Sequence, residues 1–474
     1  MTVNRNAVIE GFFRAAPKLF AALFALVVAS GLWRVVATLG MHVAFDPNEG
    51  WNAYHAQAAM AGRALYPPAQ DYFINNYPPL SFYLVGALGR SIHDEIVAGR
   101  IVSLFSFLAI AGCIWKAVRV MRCGNDAAIM AALFFMACLL VGSDYVGMDD
   151  PELFAHAIEA GALLIILNRS GDALAAAALF ATALFVKHNL LAMPLAVATW
   201  LAVDDRRRAI RFGSGGLAFA TLGLLAFQAI YGSSLLSHLA SARTYSFAVL
   251  LANLESWLIW GAVPILIVGA LAAQRAKDRF VVFCALYAGL SITLGVAFSG
   301  GAGVDANVLF DADIALSLGI GLALDQFDIR GAWRPAAISA ALVVPLVLGL
   351  YSRSDEDWRD PDYWVHPMSE EAALSRADIA FLKQHSGRAL CETLALCYWA
   401  GKAPEIDVFN AGEAIVTGAI SDATLVKGIQ SRAYAAIEFD TLAPFALGPR
   451  VRAAVLAAYR IDHANDDGVF LVPK

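Results

Sequence analysis

The sequence predicts an α-helical polytopic membrane protein of about eleven spans, followed by a small C-terminal α/β domain. Of its 474 residues, 59% are hydrophobic and only 16% are charged, and the mean hydropathy is +0.62. Uncharged runs long enough to cross a bilayer recur along the chain. We expect the spans at 18–40, 97–118, 126–143, 153–168, 173–187, 189–203, 212–231, 256–273, 280–298, 309–324 and 336–351.

The distribution of lysine and arginine orients these spans. Basic residues precede the first span and then occupy every second connection, whereas the intervening connections are acidic. Because Lys and Arg mark the cytoplasmic side of a membrane protein, we expect a cytoplasmic N-terminus and acidic loops on the outer face. The basic residues are Arg5, Arg14, Lys18, Arg119, Arg122, Arg169, Arg206, Arg207, Arg208, Arg211, Arg275, Lys277, Arg279, Arg330 and Arg334, and the acidic ones are Asp46, Glu49, Asp71, Asp144, Asp149, Asp150, Glu152 and Asp305.

Residues 352–474 differ in composition from the spans in residues 1–351. Helical patterns alternate there with short apolar runs, which predicts a small α/β domain. An odd number of spans places this domain on the outer, periplasmic face. Cys391 and Cys397 lie in it, where a disulfide is permitted, but their spacing does not require one. The helical patterns cover 369–384, 422–431 and 449–459, and the apolar runs cover 389–391, 433–438 and 468–472.

The first polar cluster on the predicted outer face is the pair Asp46 and Glu49, which follows the first span. A carboxylate at a membrane boundary is costly unless it binds or reacts. It could serve as a general base where a lipid-borne substrate meets water. The alternative is a helix cap, because Asp46-Pro47 followed by Glu49 resembles a helix start. The local pattern leaves both open.

The second cluster is Asp149-Asp150-Pro151-Glu152, with His156 one turn into the next span. Three carboxylates in four residues repel one another unless a cation, a ligand or solvent separates them. A divalent metal such as Mg²⁺ or Mn²⁺ could bind Asp149, Asp150 and Glu152, because hard cations take carboxylate oxygens. The alternative is a solvated helix N-terminus. With His156, these acids are candidate substrate-binding residues.

Two basic positions on the same face complete the polar clusters. Lys187 and His188 end the fifth predicted span, and Arg243 lies in the loop 238–245. Either cation alone is typical of an interfacial anchor. Beside two acidic clusters, however, they suit a phosphate leaving group. Lys187 and Arg243 are therefore candidate phosphate contacts, and His188 is a candidate substrate contact.

The segment 66–83 is rich in tyrosine and proline and contains the pair Asn75-Asn76. An interfacial aromatic belt explains the aromatic residues. The amides and prolines also suggest a sugar site, with Asn76, Tyr77 and Tyr83 as candidate contacts.

Taken together, these residues resemble the GT-C glycosyltransferases, especially the branch of the protein O-mannosyltransferases and the lipid A aminoarabinose transferase. The resembling motifs are Asn48-Glu49-Gly50-Trp51 at the head of an amphipathic helix, Tyr77-Pro78-Pro79-Leu80 opening a second one, the acidic second loop, and the lysine after the fifth span. The resemblance covers about the first 200 residues. Many relatives have an adjacent Asp-Glu pair. Here Asn48 directly precedes Glu49, and Asp46 lies two residues before Asn48.

The resemblance implies a multi-span bundle whose first outer loop, residues 41–96, walls a cavity in the bacterial inner membrane. The implied reaction moves a hexosyl or pentosyl group from a polyprenyl-phosphate donor, with inversion, to a hydroxyl of a glycan, lipid or protein. It requires no cofactor. A first-loop carboxylate deprotonates the acceptor, which makes Asp46 the preferred base and Glu49 its partner or a substrate-positioning neighbour. Because the two acids are not adjacent here, the resemblance leaves the choice of base between Asp46 and Glu49 open. Trp51 and Asn52 are the implied substrate contacts on the first helix.

Two other classes of function remain open. A lipid-linked sugar flippase or transporter needs ionisable residues near mid-span, and the predicted spans contain few: Arg34, Glu159, Asp311 and Asp313. A non-catalytic scaffold or sensor would use the outer domain as its binding module. The net charge of −6 and the lack of a basic stripe exclude nucleic acid as a partner, whereas membrane lipids are expected partners in every case.

Overall fold

The computed structural model describes residues 5–68, 72–241, 243–327, 333–353, 360–443 and 445–474, with side chains from residue 15 onward. Two of the predicted charge markers, Asp71 and Arg330, lie outside these ranges. The side chains of Arg5 and Arg14 also lie outside the described part.

The bundle is helical, and its first long connection, the segment between Thr38 and Glu95, contains two further helices. In chain order the helices are α1 (Arg5–Thr38), α2 (Asn48–Met60), α3 (Leu80–Ile92), α4 (Glu95–Val120), α5 (Asn125–Gly142), α6 (Glu152–Leu167), α7 (Ala173–Leu184), α8 (Ala192–Asp204), α9 (Arg206–Tyr231), α10 (Ser234–Leu239), α11 (Phe247–Gln274), α12 (Arg279–Phe298), α13 (Phe310–Gln326) and α14 (Arg334–Ser352). A short 3-10 helix, Ala306–Leu309, leads into α13.

Eight stretches of the described residues are helical, long and apolar enough to cross a membrane, which confirms the predicted polytopic class. Three further predicted spans are helices too, but α6, α7 and α8 have only 16, 12 and 13 residues. A helix of 12 residues is about 18 Å long, against a hydrocarbon core of about 30 Å. The count of about eleven spans therefore stays a prediction. The eight stretches are Ala15–Thr38, Glu95–Val120, Asn125–Gly142, Arg206–Tyr231, Phe247–Gln274, Arg279–Phe298, Ala306–Gln326 and Arg334–Ser352.

Helix α13 forms the centre of the bundle. All but two of its residues are buried, and it packs against α5, α11 and α12. A helix that is apolar on all sides is typical of an interior position. By contrast, α1 and α9 have few buried residues, as expected of helices at the periphery. The first turn of α13 carries Asp311 and Asp313 into this interior.

The C-terminal part is an α/β domain built on a four-stranded sheet. Strand order is β1-β2-β4-β3, with β1 and β2 parallel and the other two pairs antiparallel. Its elements are α15 (Pro361–Val365), α16 (Ser369–Gln384), β1 (Ala389–Cys391), α17 (Leu394–Trp399), α18 (Val408–Val416), α19 (Ala423–Gln430), β2 (Ala436–Phe439), α20 (Pro449–Ala458), β3 (Tyr459–Asn465) and β4 (Gly468–Pro473).

The predicted elements of this domain are found in the structure. The helical patterns correspond to α16, α19 and α20, and the apolar runs to β1, β2 and β4. The sequence did not indicate β3, because this edge strand is mostly exposed and polar and so has no apolar run. The short helices α15, α17 and α18 were missed as well. The division of the chain at residues 351 and 352 stays a prediction.

The domain packs against the first long connection. A buried cluster joins Ala53 of α2 and Ile96 of α4 to Leu396 and Trp399 of α17. Gly50 permits this approach, because a Cβ there would lie 2.1 Å from the backbone nitrogen of Ala395. Helices α2 and α3 also pack on each other and on α4. The loop before α2 is thus fixed between the bundle and the C-terminal domain.

Cys391 and Cys397 form a disulfide between β1 and α17, a point that the sequence left open. Chain entropy assigns about 2 kcal/mol to a loop this short. We therefore expect the Cys391→Ser/Cys397→Ser protein to unfold its C-terminal domain with a free energy about 2 kcal/mol lower, measured by chemical denaturation of the full chain in detergent. Cys113→Ser, at a free cysteine of the bundle, is the control. An unchanged midpoint in the double variant would contradict the expectation.

Candidate active site

Asp46 lies in the loop that starts α2, at the end of the bundle that carries the C-terminal domain. Its Oδ1 accepts a hydrogen bond of 2.7 Å from the backbone N–H of Asn48, and its carbonyl accepts one of 3.1 Å from the N–H of Glu49. This is the Asx turn by which short acidic side chains begin helices. Asp46 therefore begins the helix as the alternative interpretation predicted. This contact uses only one of its two carboxylate oxygens, and the side chain is half-buried.

Burial is the main cause of a raised pKa at Asp46. The pKa of this carboxyl rises from its ordinary value to about 6, and the nearby charges of Asp150 and Glu49 add to the rise. The hydrogen bond from Asn48 opposes it. At neutral pH the group is ionised but more basic than an ordinary aspartate, as a general base requires.

Glu49 is buried with no exposed surface and is fully hydrogen-bonded. Arg100 binds both of its oxygens, with Nε 2.7 Å from Oε1 and Nη2 2.6 Å from Oε2. The backbone N–H groups of Phe45 and Asp149 donate to the same two oxygens at 2.9 and 3.0 Å. Bidentate pairing with this many donors fixes the orientation of a carboxylate. Glu49 therefore ties the first loop to α4 and to the second acidic loop.

The sequence analysis missed Arg100, although it is the largest fully buried side chain described. In addition to its bonds with Glu49, Arg100 donates to the carbonyls of Met41 and Val43 at 2.7 and 2.6 Å. Its guanidinium carbon Cζ lies 3.7 Å from the centre of the Phe45 ring. The signal that could have revealed it is an arginine early in a predicted span, which must find a partner there. It shapes the backbone that presents Asp46.

The second acidic loop contacts the first directly. Asn52 of α2 donates from Nδ2 to the carbonyl of Asp149 at 2.7 Å. The Asp149 carboxylate packs against Gly99 of α4, where a Cβ would lie 1.7 Å from Oδ1. Burial first, and then the charges of Glu49 and Asp150, hold the pKa of Asp149 well above its usual range. Glycine at position 99 is thus required for the two acidic loops to meet.

Lys187 is buried between the second acidic loop and the first long connection. Its Nζ lies 3.1 Å from Glu152 Oε2, 3.4 Å from Asp150 Oδ1 and 4.0 Å from the centre of the Tyr77 ring. Burial raises the pKa of Asp150, and the Lys187 charge opposes that rise. The structure thus brings four predicted site residues together, with Lys187 neutralising part of the acidic charge.

The predicted metal set is divided between different partners. Lys187 is shared by Asp150 and Glu152, whereas Asp149 faces Gly99. One oxygen of each of the three acids is buried without a hydrogen bond. Among the described residues, the three possible metal-ligand atoms that lie within 4.8 Å of one another belong instead to His156, Glu159 and Asp311. Binding of Mg²⁺ or Mn²⁺ by Asp149, Asp150 and Glu152 stays a prediction.

Arg243 and His188 lie apart from these contacts. Arg243 donates to the carbonyl of Ala302 at 2.7 Å and to Asn410 Oδ1 at 3.1 Å, in a turn that meets α18. It borders a cavity of about 260 Å³ that also includes His238 and Glu413. His188 is exposed at the turn after α7. His156 is buried one turn below Glu152, with Nε2 3.3 Å from Oε1.

The aromatic residues of the first long connection mostly pack on one another. Trp51 is buried, donates to the carbonyl of Ile74 at 3.1 Å, and stacks edge-on with Tyr77 and Phe82. Tyr83 exchanges a hydrogen bond of 2.7 Å with Tyr231 at the exposed rim. Asn76 is half-buried. Trp51 thus has a packing role, whereas Asn76 and Tyr83 keep part of their surface exposed, and their contact with a substrate stays a prediction.

Two cavities border the acidic loops. A small one of about 10 Å³ lies between Asn52, Ser81, Asp149 and Asp150, and is large enough for one water molecule. A larger one of about 430 Å³ lies between α1, α5 and α14 and reaches Phe45, next to Asp46. Much of its lining is apolar, and its polar and charged lining residues include Arg34, Thr38, Asp144, Arg353 and Tyr363. An amphipathic cavity of this kind suits a lipid.

The whole chain is similar in fold to ArnT from Cupriavidus metallidurans. The crystal structure of ArnT bound to undecaprenyl phosphate superimposes with a TM-score of 0.62 and 12% sequence identity, covering 95% of this chain and 97% of that one. The apo structure gives 0.61 and 14%, covering 96% and 97%. No protein-family model and no curated protein sequence matches the chain. The similarity confirms the predicted GT-C-like fold.

Proposed function

We propose that this protein is an inverting glycosyltransferase that moves a sugar from a polyprenyl phosphate to an acceptor hydroxyl, with Asp46 as general base. The observation that carries the proposal is the different state of the two first-loop acids. Glu49 is fully engaged by Arg100, whereas Asp46 is half-buried, has one oxygen unbonded among the described residues, and has its pKa raised to about 6. The shared fold with ArnT, which binds undecaprenyl phosphate, supports the donor class.

The cavity of about 430 Å³ supports a route for a lipid-borne substrate. It is lined by residues of α1, α5 and α14 and by Phe45, so a lipid in it whose head group lay at Phe45 would bring that group next to Asp46. Binding energy from such a remote chain would orient the reacting groups. The acceptor is a glycan, a lipid or a protein, and the transferred sugar is hexosyl or pentosyl. The acidic loops and the C-terminal domain would face the periplasm.

Lys187 and Arg243 remain the cations proposed to stabilise the departing phosphate. Lys187 already contacts Asp150 and Glu152, so its contribution is the field of a buried positive charge. Arg243 is half-buried at the edge of a separate cavity, so it would contact the phosphate only of a donor whose head group reaches that cavity. No metal is needed for this scheme, since the reaction requires a base and a stabilised leaving group.

The raised pKa of Asp46 predicts how activity depends on pH. Only the ionised carboxylate accepts a proton, so kcat/KM should be full above about pH 7 and fall about tenfold for each unit below pH 6. The pH profile of the purified enzyme from pH 5 to 8 measures this. Glu392, whose pKa burial and Asp440 raise to about 7, is the control. Glu392→Gln should leave the acidic limb in place, and a flat profile in the wild type would contradict the assignment.

One observation favours a second function, that of a lipid-linked sugar flippase. The mid-bundle residues that such a transporter needs, Glu159 and Asp311, do come together with His156. Proteoliposomes loaded with a radiolabelled undecaprenyl-phosphate sugar distinguish the two functions. A transferase releases undecaprenyl phosphate and moves the label to an acceptor. A flippase redistributes the intact lipid between leaflets, and that outcome would overturn the transferase proposal.

A further inference from the structure

A second polar cluster lies inside the bundle, below the acidic loops and separate from Asp46. It consists of His156 and Glu159 on one face of α6 and Asp311 in the first turn of α13. All three side chains are buried, with at most 5% of their surface exposed. One donor atom from each lies within 4.8 Å of the others. Neither Glu159 nor Asp311 has a role in the glycosyl-transfer scheme, and His156, a candidate substrate contact from the sequence, is neither its base nor a phosphate contact.

Several polar atoms of this cluster have no hydrogen-bond partner. Both oxygens of Glu159 and both ring nitrogens of His156 are buried and unsatisfied. His156 Nδ1 lies 3.5 Å from Glu159 Oε2, and Nε2 lies 3.3 Å from Glu152 Oε1, but neither contact is aligned as a hydrogen bond. A buried carboxylate with two unbonded oxygens costs several kcal/mol unless something else binds it. The cluster therefore points to a missing ligand.

Charge indicates what that ligand is. Arg100 and Lys187 are the buried arginine and lysine side chains in the described ranges, and both are already paired with other acids. Glu159 and Asp311 thus place two carboxylates in the low-dielectric interior, where their described neighbours are the His156 imidazole and the Tyr287 hydroxyl and include no arginine or lysine. Protons on these groups could cancel the charge but would leave the buried atoms of Glu159 and His156 without a partner, whereas a divalent cation both neutralises the two carboxylates and binds those atoms.

We propose that His156, Glu159 and Asp311 bind one divalent transition-metal ion, with Zn²⁺ the representative of the class. One imidazole and two carboxylates are the donors that such ions take, at about 2.0–2.2 Å. Donors around a tetrahedral ion at these lengths lie about 3.3–3.6 Å apart, so side-chain rotations that shorten the present separations of up to 4.8 Å are needed to close the cluster around it.

The surroundings resemble the outer shell of a metal site. With Nδ1 of His156 on the ion, Nε2–H points to Glu152, which gives the carboxylate–histidine–metal arrangement that orients ligands. Asp311 accepts a hydrogen bond of 2.5 Å from Tyr287. Glu152 in turn contacts Lys187 and accepts from Asn307 at 3.0 Å. The ion would thus join α6 to α13 directly beneath the acidic loops.

Metal counting on the purified full-length protein tests the site without turnover, so it can fail while the glycosyl-transfer proposal holds, and the reverse. The protein, with any affinity tag removed, is dialysed against Zn²⁺, washed with a weak chelator, and analysed by mass spectrometry for bound zinc. We expect about one zinc per chain in the wild type and its loss in Glu159→Gln and Asp311→Asn. Glu152→Gln should bind about 10–100-fold more weakly.

Two matched variants serve as controls. Asp313→Asn changes a buried carboxylate in the same turn of α13 that bonds to Trp257 instead, and should keep its zinc. Asp149→Asn, in the second acidic loop, should keep it too. Zinc retained in Glu159→Gln, or absent from the wild type, would overturn the proposal.

X-ray absorption at the zinc edge of the wild type decides the matter without any variant. The proposed site predicts one imidazole nitrogen with oxygen ligands. A sulfur ligand, or more than one imidazole, would place the zinc elsewhere and refute the proposal. The second measurement keeps the test valid if the substituted proteins fail to fold.

Discussion

Asp46→Asn is expected to lower turnover by about 10²- to 10⁴-fold, the usual contribution of a general base. The amide keeps the oxygen that accepts from Asn48, so the turn that starts α2 is retained. It cannot take a proton from the acceptor. Because the substitution leaves the large cavity and both cations untouched, donor binding should be nearly unchanged. The expected signature is therefore a loss in kcat with little change in KM for the donor.

Steady-state kinetics with a labelled undecaprenyl-phosphate sugar measures this, alongside thermal unfolding to show that the variant is folded. Asp126→Asn is the matched control, because Asp126 is an exposed acid in the first turn of α5, at the opposite end of that helix from the second acidic loop. It should retain turnover within a few fold. If the Asp46→Asn enzyme retained wild-type turnover, Asp46 would not be the base.

Breaking the pair of Glu49 and Arg100 is expected to destabilise the protein by about 3–5 kcal/mol, since each single substitution leaves an uncompensated buried charge. Arg100→Met also removes the donors to the carbonyls of Met41 and Val43. Glu49→Gln removes the negative charge that faces the guanidinium and weakens the link to Asp149. Both variants should lose activity as a result of losing structure.

Denaturation of the purified proteins in detergent measures these losses. The Glu49→Gln/Arg100→Met double variant should be less destabilised than the sum of the singles, because neither charge is then left alone. Arg388→Met supplies the comparison, since Arg388 pairs with Glu405 at the surface, where such pairs contribute about 1 kcal/mol or less. A Glu49→Gln protein with full stability and no activity would instead make Glu49 catalytic.

Hydropathy and charge were sufficient to predict the helical class, the positions of the long helices and the sheet-containing C-terminal domain. They failed where local composition carries no signal. The edge strand β3 has no apolar run. Helices α6, α7 and α8 lie where three spans were predicted but have only 16, 12 and 13 residues, and whether they cross the membrane stays a prediction.

The sequence identified many of the residues at the site but not which of these residues contact one another. Sequence brought Asp46, Glu49 and the second acidic loop to one face, and resemblance assigned them a reaction. It could not show that Arg100 occupies both oxygens of Glu49, because the partner lies far along the chain. Nor could it foresee that Lys187 pairs with Asp150 and Glu152. Contacts between distant segments depend on packing, and packing is not visible in local pattern.

The most direct test of sugar transfer at Asp46 is the release of undecaprenyl phosphate from a labelled undecaprenyl-phosphate sugar. Wild-type and Asp46→Asn proteins would be incubated with the same panel of donors and with a bacterial envelope extract as acceptor. We predict that the wild type releases the lipid phosphate from one donor while the label moves to the extract, and that Asp46→Asn binds that donor without releasing it. Release at equal rates by both proteins, or by neither with any donor, would contradict the proposed function.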